Sequence, residues 1–291
     1  MNLRFTPRSV TRILIALLLR VNILWLAIKC YRNPSKAIKA VRMLIKKRAA
    51  ISQVQISGGE PMTRFEDLLT IIKETDKSTD TWLLTSGYNL TFQNALKLKK
   101  AGLTGVRISI DHWEAEKHNE FRGNKKAFAW AIDAAENCRK AGLATGLAIC
   151  AIKEFLSDAF LMKYLEFARS LKASFIFLLE PRETGHFKNR DVILPDESVR
   201  CLENFYLKVS SSPEFEKYPA LFFPGFHQRR IGCFGAGVRY LYIDSEGSVH
   251  ACPFCQGKMG DSLKDDLTLL VPLISRKGCH LFPKPENVHN Y

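Results

Sequence analysis

The chain has 291 residues, of which 46% are apolar and 25% charged, so it is long enough for one large α/β core or two smaller ones. Its formal net charge of +14 suggests nucleic acid at first, but residues 1–59 hold 12 Lys and Arg with no Asp or Glu, leaving 31 basic against 29 acidic side chains in the rest. A neutral body with a basic, apolar arm argues against a nucleic-acid partner and for an anionic membrane surface. The eight cysteines are unevenly spread, with Cys233, Cys252, Cys255 and Cys279 near the end. That clustering fits a metal or cluster site better than a disulfide framework.

In chain order, Ile13 to Leu19 and Val21 to Ile28 are apolar runs separated by Arg20, and Asn22 interrupts the second. A bilayer span needs about 20 apolar residues, and an Arg at its centre costs roughly 2.5–3.5 kcal/mol. The region lacks an Ala-x-Ala-like cleavage site, which argues against a signal peptide. After Asn33-Pro34, Ile38, Val41, Leu44 and Ile45 recur at helical spacing among Lys36, Lys39, Arg42, Lys46, Lys47 and Arg48. Residues 1–50 are therefore expected to form a helical arm whose residues 8–48 lie on the inner face of a cytoplasmic membrane, with packing against the body as the alternative.

From residue 52 strands and helices alternate. The pattern predicts strands at 53–57, 81–86, 104–110, 143–151 and 174–180, and helices at 64–76, 90–101, 125–141, 157–171 and 196–209. This implies right-handed parallel βαβ units in an open sheet or a complete or partial barrel, with function at the strand C-terminal ends. Those ends read Ser57-Gly58-Gly59-Glu60, Thr85-Ser86-Gly87-Tyr88, Ser109-Ile110-Asp111-His112, Ala148-Ile149-Cys150 and Glu180-Pro181-Arg182-Glu183. Each has a structural reading: Gly87 closing a loop, Asp111 capping a turn, Glu180 pairing with Arg182. Five polar ends on one rim nevertheless point to a shared ligand site.

Ser210-Ser211-Ser212-Pro213, followed by Pro219, Pro224 and Gly225, marks a boundary between a unit at 51–212 and a smaller one at 213–291. Residues 240–252 alternate around Asp244-Ser245-Glu246-Gly247 and predict a β-hairpin with a Gly turn, and a helix is expected near 262–277. The hairpin returns Cys252 toward Cys233, Cys255 follows three positions on, and Cys279 completes a four-thiolate set for an iron–sulfur cluster or for zinc.

Gly58-Gly59-Glu60-Pro61 after a strand, Ser86-Gly87, Ser109-Ile110-Asp111 and Phe121-Arg122-Gly123 together resemble the radical S-adenosylmethionine (SAM) superfamily. The Cys233-x13-Gly247-x4-Cys252 hairpin with Cys255 is similar to that superfamily's SPASM/twitch auxiliary-cluster domain. The resemblance implies a partial (β/α) barrel and a SAM site in which Gly58, Gly59 and Glu60, followed by Pro61, hold the methionine amino group. Ser86, Ser109 and Asp111 would lie along the methionyl and ribose portions, Arg122 would take the carboxylate, and the strand ending at Ile149 would run beside the adenine. Cys233, Cys252, Cys255 and Cys279 would ligate an auxiliary 4Fe-4S cluster, and an active enzyme would need an electron donor and a substrate that the sequence does not identify.

One motif of that family is missing. Its Cys-x3-Cys-x2-Cys loop, which binds the cluster that reduces SAM, has no counterpart here: Cys30-Tyr31 stands at a plausible distance before Gly58, but its companions would be Ile23 and Ala27. The first βα unit is expected to be either lost from between about Arg48 and Ser52 or degenerated into the helical arm, with the lost segment favoured. As written, the chain is not expected to cleave SAM reductively. A catalytically silent redox or binding module at the membrane is the competing function.

Overall fold

The computed structural model describes residues 22–27, 51–75, 77–233, 235, 240–254, 257–277, 279 and 281–283. The first strand, β1, spans Asn22–Ala27, and β2 spans Ile51–Ser57. A short 3-10 turn at Pro61–Arg64 leads into α1 (Phe65–Glu74), followed by β3 (Asp80–Thr85), α2 (Phe92–Ala101) and β4 (Gly105–Ser109). Two helices, α3 (Ala115–Arg122) and α4 (Ala127–Lys140), precede β5 (Ala144–Cys150), α5 (Asp158–Ser170) and β6 (Phe175–Leu179). Next come α6 (Asp196–Ser211), β7 (Ala220–Phe222), α7 (Pro224–Ile231), β8 (Tyr240–Ile243), β9 (Ser248–His250), β10 (Lys258–Asp261) and α8 (Leu267–Lys277).

The strands form one sheet in the order β10-β9-β8-β1-β2-β3-β4-β5-β6-β7. Strands β2 to β7 are a six-stranded parallel run with chain neighbours side by side, and β1 pairs parallel to β2 and to β8. Right-handed crossovers between sequential neighbours put every connecting helix on one face. The order never reverses, so the sheet is of barrel rather than doubly wound type.

The helix-facing side carries the core. In β3 the burial alternates, with Thr81, Leu83 and Thr85 buried and Asp80, Trp82 and Leu84 partly so. Val54 and Ile56 of β2, Val106 and Ile108 of β4 and Leu147 and Ile149 of β5 join Leu68, Leu98, Ala131 and Leu165 from the helices in that core. Ordinary signals bound the helices. Thr91 and Ser157 cap α2 and α5 by accepting from Asn94 N and Phe160 N, and Gly102, at φ 114°, ends α2 in the left-handed region.

Three expectations are corrected. Asn22–Ala27 is a strand beside β2, not part of a helical arm, so the first strand of the barrel lies within the chain and no lost segment is needed to supply it. Its sequence is a short, continuous apolar run, which reads equally as buried parallel strand or as helix. The rest of the arm expected over residues 8–48, with Cys30, lies outside the described residues. The stretch around residues 213–225, expected to mark a boundary between two units, contains β7, which pairs with β6 and extends the parallel sheet. The hairpin at 240–250 forms as expected, with Gly247 at φ 86°, and β10 adds to it. Cys255 lies outside the described residues.

Candidate active site at the strand C-terminal ends

Gly58, at φ 133°, turns the chain off the end of β2. The next polar residue, Glu60, is spent on the neighbouring strand. Its Oε1 accepts from the Thr85 hydroxyl at 2.8 Å and from Met62 N at 3.1 Å. Its Oε2 accepts from Ser86 N at 2.7 Å and from Ser86 Oγ at 2.5 Å. Hydrogen bonds to a charged group are worth roughly 1.5–3 kcal/mol each, so this clamp fixes the Gly-Gly turn against the end of β3. Pro61 and Met62 are buried beneath it.

Thr85 was not singled out from the sequence, although it stands immediately before Ser86. Its Oγ1 donates to Glu60 and accepts from Gly87 N at 3.0 Å. Gly87 has φ 91°, and a Cβ there would lie 2.6 Å from the Trp130 carbonyl oxygen. Helix α4 therefore packs directly on this turn.

The second cluster joins the ends of β4 and β5. Asp111 is fully buried; its Oδ2 accepts from Arg122 Nε at 2.6 Å and its Oδ1 from Cys150 N at 2.9 Å. Burial pushes the Asp111 carboxyl up, while the Arg122 guanidinium and the Cys150 N–H pull it down. His118, 1% exposed, accepts the Asp111 N–H at Nδ1 (3.1 Å). That bond places its proton on Nε2. Burial, then the Arg122 and His112 charges, push the His118 imidazole down to about 4. Arg122 is 32% exposed, and its Nη atoms carry no hydrogen bond among the described residues, so the buried aspartate holds a guanidinium whose outer edge faces the rim.

The other expected residues are placed as follows. Ser109 ends β4, half-buried and opposite Ala148 of β5. Ile149 is fully buried in the helix-side core, so it can offer a ligand at the rim only main chain. Glu180, at the end of β6, pairs with Arg182 as its structural reading held, and also with Arg229 of α7 (2.6 Å). Gly225 makes room, since a Cβ there would lie 2.0 Å from Glu180 Oε1.

Of the cysteines expected as ligands, Cys233 and Cys279 are half-buried and Cys252 is buried. Cys233 N donates to Phe282 O at 3.0 Å, which returns the segment holding Cys279 to Cys233. Among the described residues, however, no group of three His, Cys, Asp or Glu is placed to hold a metal ion.

A family model for the radical SAM superfamily matches residues 31–161, which include the Gly58-Gly59-Glu60-Pro61 turn and the Asp111–Arg122 cluster. That stretch is similar to the radical SAM superfamily. It is 29% identical over 222 residues to an AdoMet-dependent heme synthase of Methanosarcina barkeri, a match covering 68% of this chain and 62% of that one. It is 25% identical over 232 residues to a GTP 3',8-cyclase of Photorhabdus laumondii, covering 73% and 67%. The chain thus spans under two thirds of the heme synthase's length.

Among solved structures, anSMEcpe with bound AdoMet and the Cp18Cys peptide superposes with TM-score 0.67 at 14% identity, covering 90% of this chain and 83% of that one. Streptococcus suis SuiB bound to the precursor peptide SuiA gives TM-score 0.67 at 16% identity, covering 86% and 64%. At these identities the likeness is one of fold.

Similarity to the radical SAM superfamily implies SAM and a four-iron, four-sulfur cluster. The donor set for that cluster does not fit this chain. Residues 28–50, which follow β1, contain one cysteine, Cys30, and the next in sequence, Cys138, is buried in α4 with its thiol pushed up to about 12. A single thiolate cannot hold such a cluster. The SAM side fits better: a glycine turn, half-buried Ser109 and the outer edge of Arg122 share the rim. Among the described residues no helix is long and apolar enough to cross a membrane.

Proposed function

We propose that this chain is of the radical SAM superfamily, binds SAM on the rim formed by the ends of β2 to β5 and does not cleave it reductively. The observation carrying this is the contrast between an intact Glu60–Thr85–Ser86 clamp and a segment after β1 with one thiolate. Gly58 and Gly59 would present main chain to the methionine amino group, and Arg122 would take the carboxylate through its Nη atoms. Ser109 and the β5 main chain at Ile149 would flank the nucleoside. Glu60, Pro61, Ser86 and Asp111 then act as positioning residues, because their polar groups are already used to hold the turn and the guanidinium.

Residues 51–212, with β1 and β7 completing the parallel sheet, would be the SAM-binding unit, and the part of residues 213–291 that follows β7 a SPASM/twitch-like unit whose Cys233, Cys252, Cys255 and Cys279 hold an auxiliary 4Fe-4S cluster or zinc. The hydrogen bond from Cys233 N to Phe282 O supports that grouping by closing the distance along the chain. The basic residues on either side of β1, from Arg8 to Arg20 and from Lys29 to Arg48, would bring the protein to an anionic membrane surface. Cosedimentation with phosphatidylserine vesicles that is lost on phosphatidylcholine checks this arm, and equal binding to both removes it.

The deciding experiment is anaerobic incubation of the purified chain with iron, sulfide, SAM and dithionite, with calorimetry for SAM in parallel. SAM binding without 5′-deoxyadenosine is the expected result. Formation of 5′-deoxyadenosine overturns the silent reading, and no SAM binding overturns the rim assignment.

A further inference from the structure

The two ends of the parallel sheet carry different charge. The strands bring the rim to their C-terminal ends and the helices run back, so each helix's last turn and the loop into the next strand lie at the opposite end. Those last turns hold Lys73 in α1, Lys99 and Lys100 in α2 and Arg139 in α4. Lys77 stands between α1 and β3, and Lys172 between α5 and β6. All six are exposed, and none forms an ion pair among the described residues.

The acidic groups at that end of the same elements are engaged or sheltered. Glu136 pairs with Lys140 at 2.8 Å and Glu166 with Arg169 at 2.9 Å. Asp80 accepts from Thr104 Oγ1 at 3.2 Å, and Glu74 is half-buried. The helix dipole favours a base in a last turn, but it does not account for the two loop lysines. Lys172 even takes a left-handed φ of 56°, where Gly or Asn is the easier choice. At the rim end the signs are mixed: Lys117 pairs with Glu114 at 3.1 Å, and exposed Lys153 stands beside exposed Glu154.

The chain delivers more positive charge to the same end. Strands β1 and β2 run parallel to their neighbours and therefore begin there. Arg20 stands two residues before Asn22, within roughly 7 Å of chain. Lys46, Lys47 and Arg48 stand three to five residues before Ile51, and the apolar run Ile13 to Leu19 leads into Arg20.

We infer that the strand N-terminal end of the sheet is a docking face for an anionic lipid surface, which leaves the rim facing away from the membrane. The six unpaired bases meet the headgroups. The apolar residues ahead of β1 suit acyl chains, for which a nucleic-acid backbone has no counterpart. The face belongs to the folded body and adds to the basic residues flanking β1. It rests on the proposed membrane partner only for the identity of the anion.

Cosedimentation of the full chain with mixed phosphatidylserine and phosphatidylcholine vesicles at about 0.1 M salt tests it. Changing Lys99→Glu with Lys100→Glu should lower the partition coefficient about tenfold or more, and Arg139→Gln with Lys172→Gln about tenfold. Changing Lys125→Glu with Lys126→Glu, at the rim end, should leave it within about twofold. Circular dichroism checks each fold, and the Gln pair carries the test if the Glu pair fails to fold. Undiminished binding by the folded face variants, or an equal loss in the rim variant, overturns the face. Loss only on changing Lys46, Lys47 and Arg48 to Gln keeps the flanking residues as the membrane contact and overturns the face. No preference for phosphatidylserine in the intact chain removes the membrane partner and this face with it. Duplex DNA that stays bound at a salt concentration releasing the vesicles, and is lost in the face variants, overturns lipid as the partner.

Discussion

Glu60 is the residue on which the rim depends, because its carboxylate accepts from two hydroxyls and two main-chain N–H groups on two segments. Replacing it with Gln substitutes a donor for one of those acceptors and leaves Ser86 N–H and O–H facing an NH2 group. Glu60→Gln should cost about 2–3 kcal/mol in urea unfolding and weaken SAM binding at least about tenfold; unchanged SAM affinity would show that the clamp does not position the turn. His118 gives a pH prediction. Its folded pKa of about 4 lies below the ordinary value of 6.5, so between these values the unfolded chain binds more protons and stability rises with pH. The stability it contributes is complete above about 6.5 and is lost as pH falls toward 4, on the order of 3 kcal/mol. His118→Asn, which retains an acceptor for the Asp111 N–H, should flatten the difference in unfolding free energy between pH 7 and pH 5; an unchanged slope would place the titration elsewhere.

At the scale of elements, the packing of α4 on the β3 turn separates two glycines that look alike in sequence. Gly87→Ala forces a positive φ and a collision with the Trp130 main chain, whereas Gly142, at φ 74°, has nothing within 4 Å of an added Cβ. The first change should cost about 3 kcal/mol or more and the second about 1 kcal/mol, as read by thermal unfolding; equal losses would mean that α4 moves freely over the turn. The same elements show what a sequence can reveal. Strands β2 to β6 were legible because their apolar runs are bounded by turns, and the Asp244–Gly247 hairpin because its Gly is where the turn demands one. Helix α3 was not legible, since only His118 is buried in it and no apolar stripe marks its face. Helix α7 was hidden by Pro224 and Gly225, although Pro at the first helical position is itself a start signal. At the site, the strand-end polar residues could be read, but not that Glu60 and Ser86 bind each other, because that pairing depends on the register of β2 against β3.

At the scale of the molecule, one sheet carries both the strand-end rim and the cysteine hairpin, since β8 lies beside β1 and β1 beside β2. Any cluster held by Cys233, Cys252, Cys255 and Cys279 is then attached to the barrel edge where the superfamily's reducing cluster would follow β1. The two sites are separable by counting iron, because the thiolates available to them differ. Anaerobic reconstitution should give about four iron per chain, one cluster rather than two, with the broad visible absorption of an iron–sulfur centre. Cys252→Ser should abolish it and Cys30→Ser should leave it unchanged. About eight iron per chain, or loss of iron on replacing Cys30, would show that the segment after β1 holds a cluster after all. Stoichiometric zinc without iron would keep the hairpin as a structural site and remove its redox role.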